Sequence, residues 1–289
     1  MKIPGKNKPE HYFYRLILPG ALILSNMLFT SVFAEPMSMQ KSSMQGGSAP
    51  ADARNPNAYS DGYEYRGMAG WEETDEIIFS KVIFDQLEYR NNDDNNTLRW
   101  DMQGWIGTDY RKFWVKFEGE DETSSSTGEL ELQTLYSQSI APFWDFQMGI
   151  RYDTNYGSGP NNDRFFAVIG FQGLAPYWFE VEPAFFVSED GDVSARLVTT
   201  YDLLFTQKLI LQPRFEINAA ASEVSDFGIG KGINDIQLGL RLRYEIHRKI
   251  APYAGFSWTK QFGDTADFVR AEGDDTNNLA FVAGIRLWF

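Results

Sequence analysis

From Glu76 to Phe289 the chain alternates apolar and polar residues with a period of two, almost without interruption. The stretch "DIQLGLRLRYEIH", Asp235 to His247, is the clearest instance. One face carries Ile236, Leu238, Leu240, Leu242, Tyr244 and Ile246; the other carries Gln237, Gly239, Arg241, Arg243, Glu245 and His247. A helix would scatter these charges around its circumference, whereas a strand sorts them onto one side. "FWVKFEGE" repeats the logic, with Phe113, Val115 and Phe117 against Trp114, Lys116, Glu118 and Glu120. "DFQMGIRYD", "WFEVEPAFF" and "QPRFEINA" do the same. The pattern predicts twelve strands, centred near residues 83, 103, 117, 133, 148, 168, 183, 199, 214, 240, 256 and 283.

The connections alternate in character. "TDYRKF", "SIAPFWD", "GLAPYW", "LFTQKL" and "EIHRKIAP" are short, with Pro or aromatics at their edges. "RNNDDNNT", "EDETSSST", "DTNYGSGPNND", "SEDGD", "ASEVSDFGIGKG" and "GDTADFVRAEGDDTNN" are mostly longer, and nearly all are acidic. An even strand number with short turns at one end and longer loops at the other predicts an all-β fold. It is that of a transmembrane outer-membrane β-barrel with 12 antiparallel strands. A secreted β-sandwich also alternates, but it does not sort its turns by length. Phe143, Trp144, Tyr177, Trp178 and Tyr253 lie near the short turns and are expected to form an interfacial aromatic girdle. The chain ends in "RLWF", so an aromatic closes the last strand.

Composition sharpens this picture. Aromatics make up 16% of the 289 residues, yet no apolar run of helix-spanning length follows Ala34. Strands that show lipid one apolar residue at a time reconcile the two facts. Residues 1–34 read differently. Lys2, Lys6, Lys8 and Arg15 precede an apolar run, Leu16 to Ala34, which ends on Val32 and Ala34 at the −3 and −1 positions. This is the pattern of a signal peptide cleaved after Ala34. A membrane anchor is the other reading, but Pro19 and Gly20 break the run and no charged stop-transfer follows. The leader holds four basic residues and one acidic, so its removal takes the net charge from −14 to −17. That charge excludes nucleic acid as a partner and favours cations. With no cysteine there are no disulfides and no thiolate metal sites.

Residues 35–75 are rich in Ser, Gly, Pro, Asn and Met and show no period, which predicts a disordered tail ahead of a barrel spanning residues 76–289. On the polar faces of the strands stand Lys116, Glu118, Glu120, Glu129, Glu131, Arg151, Asp153, Glu180, Glu182, Arg196, Asp202, Arg214, Glu216, Arg241, Arg243, Glu245 and Arg286. Both signs are present. Pairing across strands is the favoured reading, since an unpaired buried charge is costly; a polar path for a cation is the other.

Met102 and Met148 fall on apolar faces and are expected to touch lipid. Met37, Met39, Met44 and Met68 stand in the tail. A thioether is a soft, neutral ligand suited to Cu(I) or Ag(I), so these four are candidate metal ligands; a chance cluster beside a leader is the alternative. Catalysis has little to draw on. His11 leaves with the leader, and His247, the one histidine left, sits at a short turn. The carboxylate pairs, such as Glu180 and Glu182, recur along the strands and carry no specificity.

Several long blocks resemble the copper resistance protein B (CopB/PcoB) family: "KVIFDQLEYR", "GLAPYWFEVE", "YDLLFTQKLILQPRFEIN", "DIQLGLRLRYEIHRKIAPYAG" and "VAGIRLWF". The resemblance covers about residues 76 to 289. It implies an outer-membrane protein of copper resistance, working alongside a periplasmic multicopper oxidase and small periplasmic copper carriers. It also implies a Met- and often His-rich N-terminal tail that binds copper, a role that falls here on Met37, Met39, Met44 and Met68. This tail is short and lacks histidine, which favours Cu(I) over Cu(II). The expectation is a monomeric, non-enzymatic barrel in outer-membrane lipid, its tail periplasmic, that sequesters copper or passes it across the membrane. A general small-solute porin with an incidental tail is the alternative.

Overall fold

A computed structural model of the protein describes residues 77–92, 96–124, 127–157 and 162–289. The expected leader, its cleavage point and the four tail methionines lie outside the described residues. Within them the chain forms strands β1 (Phe79–Asn91), β2 (Asn96–Gly107), β3 (Arg111–Glu122), β4 (Gly128–Ala141), β5 (Trp144–Tyr156), β6 (Asn162–Ala175) and β7 (Phe179–Ser188). There follow β8 (Val193–Thr200), β9 (Leu203–Leu204), β10 (Leu209–Ala220), β11 (Gly232–Tyr244), β12 (Ile250–Gln261) and β13 (Asn277–Trp288). β8 and β9 both pair with β10, and only Tyr201 and Asp202 separate them; they are halves of one barrel strand. The sheet is therefore a closed, antiparallel, twelve-stranded barrel, with each strand beside its chain neighbour and β1 sealed against β13. Closure leaves no unpaired edge, which is the condition for a sheet to lie in hydrocarbon.

The period-two pattern decides which residues face which way. On β11, Leu238, Leu240, Leu242 and Tyr244 point outward and are exposed, while Gln237, Arg241 and Arg243 point inward and are buried. The same sorting runs around the wall, so the exterior is an apolar surface and the interior a charged one. One inward sector is apolar: Trp114, Leu135, Phe166, Val168 and Phe186 form a cluster, with Trp105 and Ala184 packed against it.

Three features differ from the sequence expectation. The strands run further than the pattern indicated and absorb most of the longer connections. "DTNYGSGPNND" contributes Asp153–Tyr156 to β5 and Asn162–Asp163 to β6, for instance. The turn asymmetry then rests mainly on residues 221–231 and 262–276. The second of these holds an unexpected helix, α1 (Gly263–Glu272), which ends on Gly273 in the left-handed conformation (φ 96°). Finally, Tyr253 does not join the girdle. It is in phase with Ala251 and Ser257, is 7% exposed, and donates its hydroxyl to Glu88 inside the barrel (3.1 Å). Gly284 makes room for it: a Cβ there would lie 2.7 Å from the Tyr253 hydroxyl.

Phe143, Tyr177 and Trp178 do stand exposed at the short-turn end, and all three adopt positive φ (67–68°). A bulky side chain is strained there. Rings that are amphipathic or apolar and held out from the barrel end suit the membrane interface.

Candidate functional site

The lumen is built from the inward face of every strand. β1 runs from the short-turn end towards the longer loops, and a bulge between Phe84 and Gln86 shifts its phase midway. Lys81 and Ile83 face inward before the bulge; Gln86, Glu88 and Arg90 do so after it. The bulged Asp85 also reaches inward, where it accepts from Arg286 (2.9 Å) and Gln103 (2.5 Å). A second irregularity does similar work. The break between β8 and β9 turns Asp202 towards Arg243 (2.7 Å) and Gln212 (2.9 Å).

Ion pairs cross the lumen between strands that are not neighbours. Arg196 on β8 binds both oxygens of Glu131 on β4, at 3.1 and 2.8 Å. Lys116 on β3 reaches Glu182 on β7 (2.8 Å), and Arg214 on β10 comes within 4.0 Å of Asp101 on β2. Every basic residue expected in the lumen has a carboxylate partner: Lys116, Arg151, Arg196, Arg214, Arg241, Arg243 and Arg286. Pairing is thus what these residues do in the resting structure. Desolvated charges need such partners, and the low-dielectric interior strengthens them.

This lattice splits the interior into two cavities. One, of about 350 Å³, lies towards the short-turn end, between Lys81, Trp105, Lys116, Glu182 and Arg286. The other, of about 630 Å³, opens towards the longer loops, and Phe227, Thr265 and Val269 contribute to its roof. Glu118, Phe186 and Arg196 line both and so form the partition. The two differ in charge. The larger is lined by eight carboxylates and four guanidiniums, the smaller by six carboxylates and five basic groups. Fixed negative charge in a narrow, low-dielectric space concentrates cations, so the loop-side cavity is the cation-attracting one. Among the described residues no group of three His, Cys, Asp or Glu side chains is arranged to hold a metal ion.

Sequence reasoning placed seventeen charged residues in the lumen but missed Asp85, Glu88, Arg90, Arg99 and Asp101. The β1 bulge hid Glu88 and Arg90, because a strict alternation puts them on the wrong face; Asp85 keeps the phase of Lys81 and Ile83. Arg99 and Asp101 alternate with Trp100 and Met102 in the expected way, and that signal went unread. His247 lies outside the lumen at the β11–β12 turn, bridged by backbone hydrogen bonds to Ile250.

An apolar exterior around a closed, charged interior defines an outer-membrane β-barrel whose lumen is partitioned by ion pairs. Residues 78–289 match the family described as copper resistance protein B precursor (CopB), and the chain belongs to that family. It is 42% identical to copper resistance protein B of Escherichia coli over 215 residues, 74% of this chain and 71% of that one. It is 37% identical to a copper resistance protein B homolog of Pseudomonas syringae pv. tomato over 225 residues, 78% and 75% of the two chains. Among solved structures it aligns with the NanC porin at 12% identity, covering 72% of this chain and 99% of that one, with a TM-score of 0.47. Membership in the family supports a role in copper resistance, with copper as the relevant ion.

Proposed function

We propose that copper is the cargo of this barrel: the N-terminal segment captures it as Cu(I) through Met37, Met39, Met44 and Met68, and the lumen passes it across the outer membrane. The observation that carries this reading is the direction of β1. It begins at the short-turn end, which is also the end of the smaller cavity, and the methionines precede it in the sequence. Short turns face the periplasm in outer-membrane barrels, which supports a periplasmic position for the thioethers. Thioethers prefer Cu(I), and the segment has neither cysteine nor histidine to favour Cu(II). A periplasmic multicopper oxidase and small copper carriers are the partners this orientation would serve, with the barrel acting as a monomer. The protein is not an enzyme in this reading, since copper is moved or held and not transformed.

The test has two parts. Met37→Leu, Met39→Leu and Met44→Leu together lower Cu(I) binding and cellular copper tolerance; if the triple variant equals the wild type in both, the segment has no copper role. Liposomes carrying the purified barrel pass copper, and less of it when residues 35–74 are removed; equal flux without those residues separates passage from capture.

A further inference from the structure

We infer that Arg196 is a tethered cation that closes the lumen, a gate whose removal turns the barrel into a cation-conducting channel. Its guanidinium sits where a permeating ion would have to pass. Carboxylates from three strands converge on it: Glu131 of β4 at 2.8 Å, Glu118 of β3 at 3.7 Å and Glu216 of β10 at 3.7 Å. It lies over the ring of Phe186, 5.6 Å from the centroid, and Arg151 lies over the same ring at 4.5 Å. Phe186 is 2% exposed, so the aromatic backstop has no free side.

Pairing sets Arg196 apart from its neighbours. Each of the three carboxylates has a second basic partner on the wall: Arg99 for Glu118 (3.9 Å), Arg151 for Glu131 (2.8 Å) and Arg214 for Glu216 (2.6 Å). Without Arg196 each of the three carboxylates still has a basic partner. The wall guanidiniums also reach Glu120 (3.4 Å), Asp153 (2.6 Å) and Asp101 (4.0 Å), so Arg196 is the cation held among carboxylates that are already paired, directly beneath a cavity with twice as many carboxylates as guanidiniums. An entering cation therefore meets attraction first, then both a plug and a like charge. Fixed arginines that exclude cations from pores act in this way. Movement of the single Arg196 side chain would open the partition, because the carboxylates around it keep their wall partners; the Lys116–Glu182 pair then remains as the crossing contact of the smaller cavity.

The inference concerns the path that the copper reading uses, but it rests on the lumen alone and not on the methionines. The experiment is conductance of the full-length barrel in planar bilayers in KCl, with folding checked by heat-modifiable gel migration. Wild type conducts little. Arg196→Gln raises conductance on the order of tenfold, with a reversal potential favouring K⁺ over Cl⁻. Arg196→Gln/Glu131→Gln removes one charge of each sign, so it keeps the net charge of the wild type, and it carries the test if the single variant fails to insert; it conducts as well, with weaker cation preference. A folded variant no more conductive than wild type overturns the gate, as does a wild type already as conductive as the variant. Copper flux separates the two readings. A wild-type barrel that passes no copper while Arg196→Gln conducts K⁺ keeps the gate and loses copper passage. Copper flux with no change on substitution does the reverse.

Discussion

Arg241 on β11 grips Glu88 on β1 across the two strands that lie between them. Its Nη2 reaches Oε1 at 2.8 Å and its Nε reaches Oε2 at 2.9 Å, and Glu88 is 0% exposed. Arg90 and the Tyr253 hydroxyl donate to the same carboxylate, at 2.7 and 3.1 Å. Four donors thus converge on one carboxylate beside the β1–β13 seam, the closure on which the barrel depends. Removing Glu88 alone leaves Arg241 buried with no carboxylate, which costs about 3–5 kcal/mol. Glu88→Gln is therefore expected to lower the urea midpoint of the barrel in detergent much more than Glu88→Gln combined with Arg241→Met, which removes the stranded charge. If the double variant is no more stable than the single one, the stranded charge is not what destabilises it.

The roof of the loop-side cavity depends on a smaller contact. Thr265 in α1 accepts from the Gly230 amide and from the Asn234 amide side chain, both at 2.8 Å, and so ties the helix to the 221–231 loop and to β11. Thr265→Val keeps the shape and deletes the acceptor, leaving two donors short of a partner at about 1–3 kcal/mol. The loss is local, because neither donor belongs to the ladder that closes the barrel. Trypsin is then expected to cut faster at exposed Lys231 and Arg270, with no change in the global unfolding midpoint. Unchanged cleavage rates would show that the roof is held by other contacts.

Much of this was legible in the sequence, for a physical reason. Side-chain alternation is a local property, so all twelve expected strand centres fall inside the twelve barrel strands. The face of Arg241 and Arg243 followed at once from Leu240 and Leu242. The partition was not legible. Arg196 and Glu131 are 65 residues apart and meet because of how far the strands are staggered around the barrel, which no alternation encodes. Glu88 was lost to a one-residue bulge, and Tyr253 was assigned by proximity to a turn when its phase with Ser257 pointed inward. Helix α1 was hidden by composition. Gly, Asp and Asn dominate its surroundings, and only Ala266 is buried among its described residues.

Methionine supplies the sharpest distinction between barrel and tail. Six methionines follow Ala34, and two of them, Met102 and Met148, lie in the barrel wall. Met148 is exposed on the outer face of β5, opposite Tyr136 and Ile169; Met102 shares the outward phase of Trp100 and Ile106 on β2. Neither thioether faces the lumen, and a copper ion reaching either would have to leave water for hydrocarbon. Exchanging Met for Leu conserves volume and costs under about 1.5 kcal/mol, so the barrel tolerates it. Met102→Leu with Met148→Leu is therefore expected to leave Cu(I) binding and copper tolerance at wild-type levels, in contrast to the triple tail variant. Isothermal titration with Cu(I) under anaerobic conditions reads the difference directly. A drop in stoichiometry on replacing the wall methionines would mean that copper is held at the lipid-facing surface, and the tail could then not be its sole thioether site.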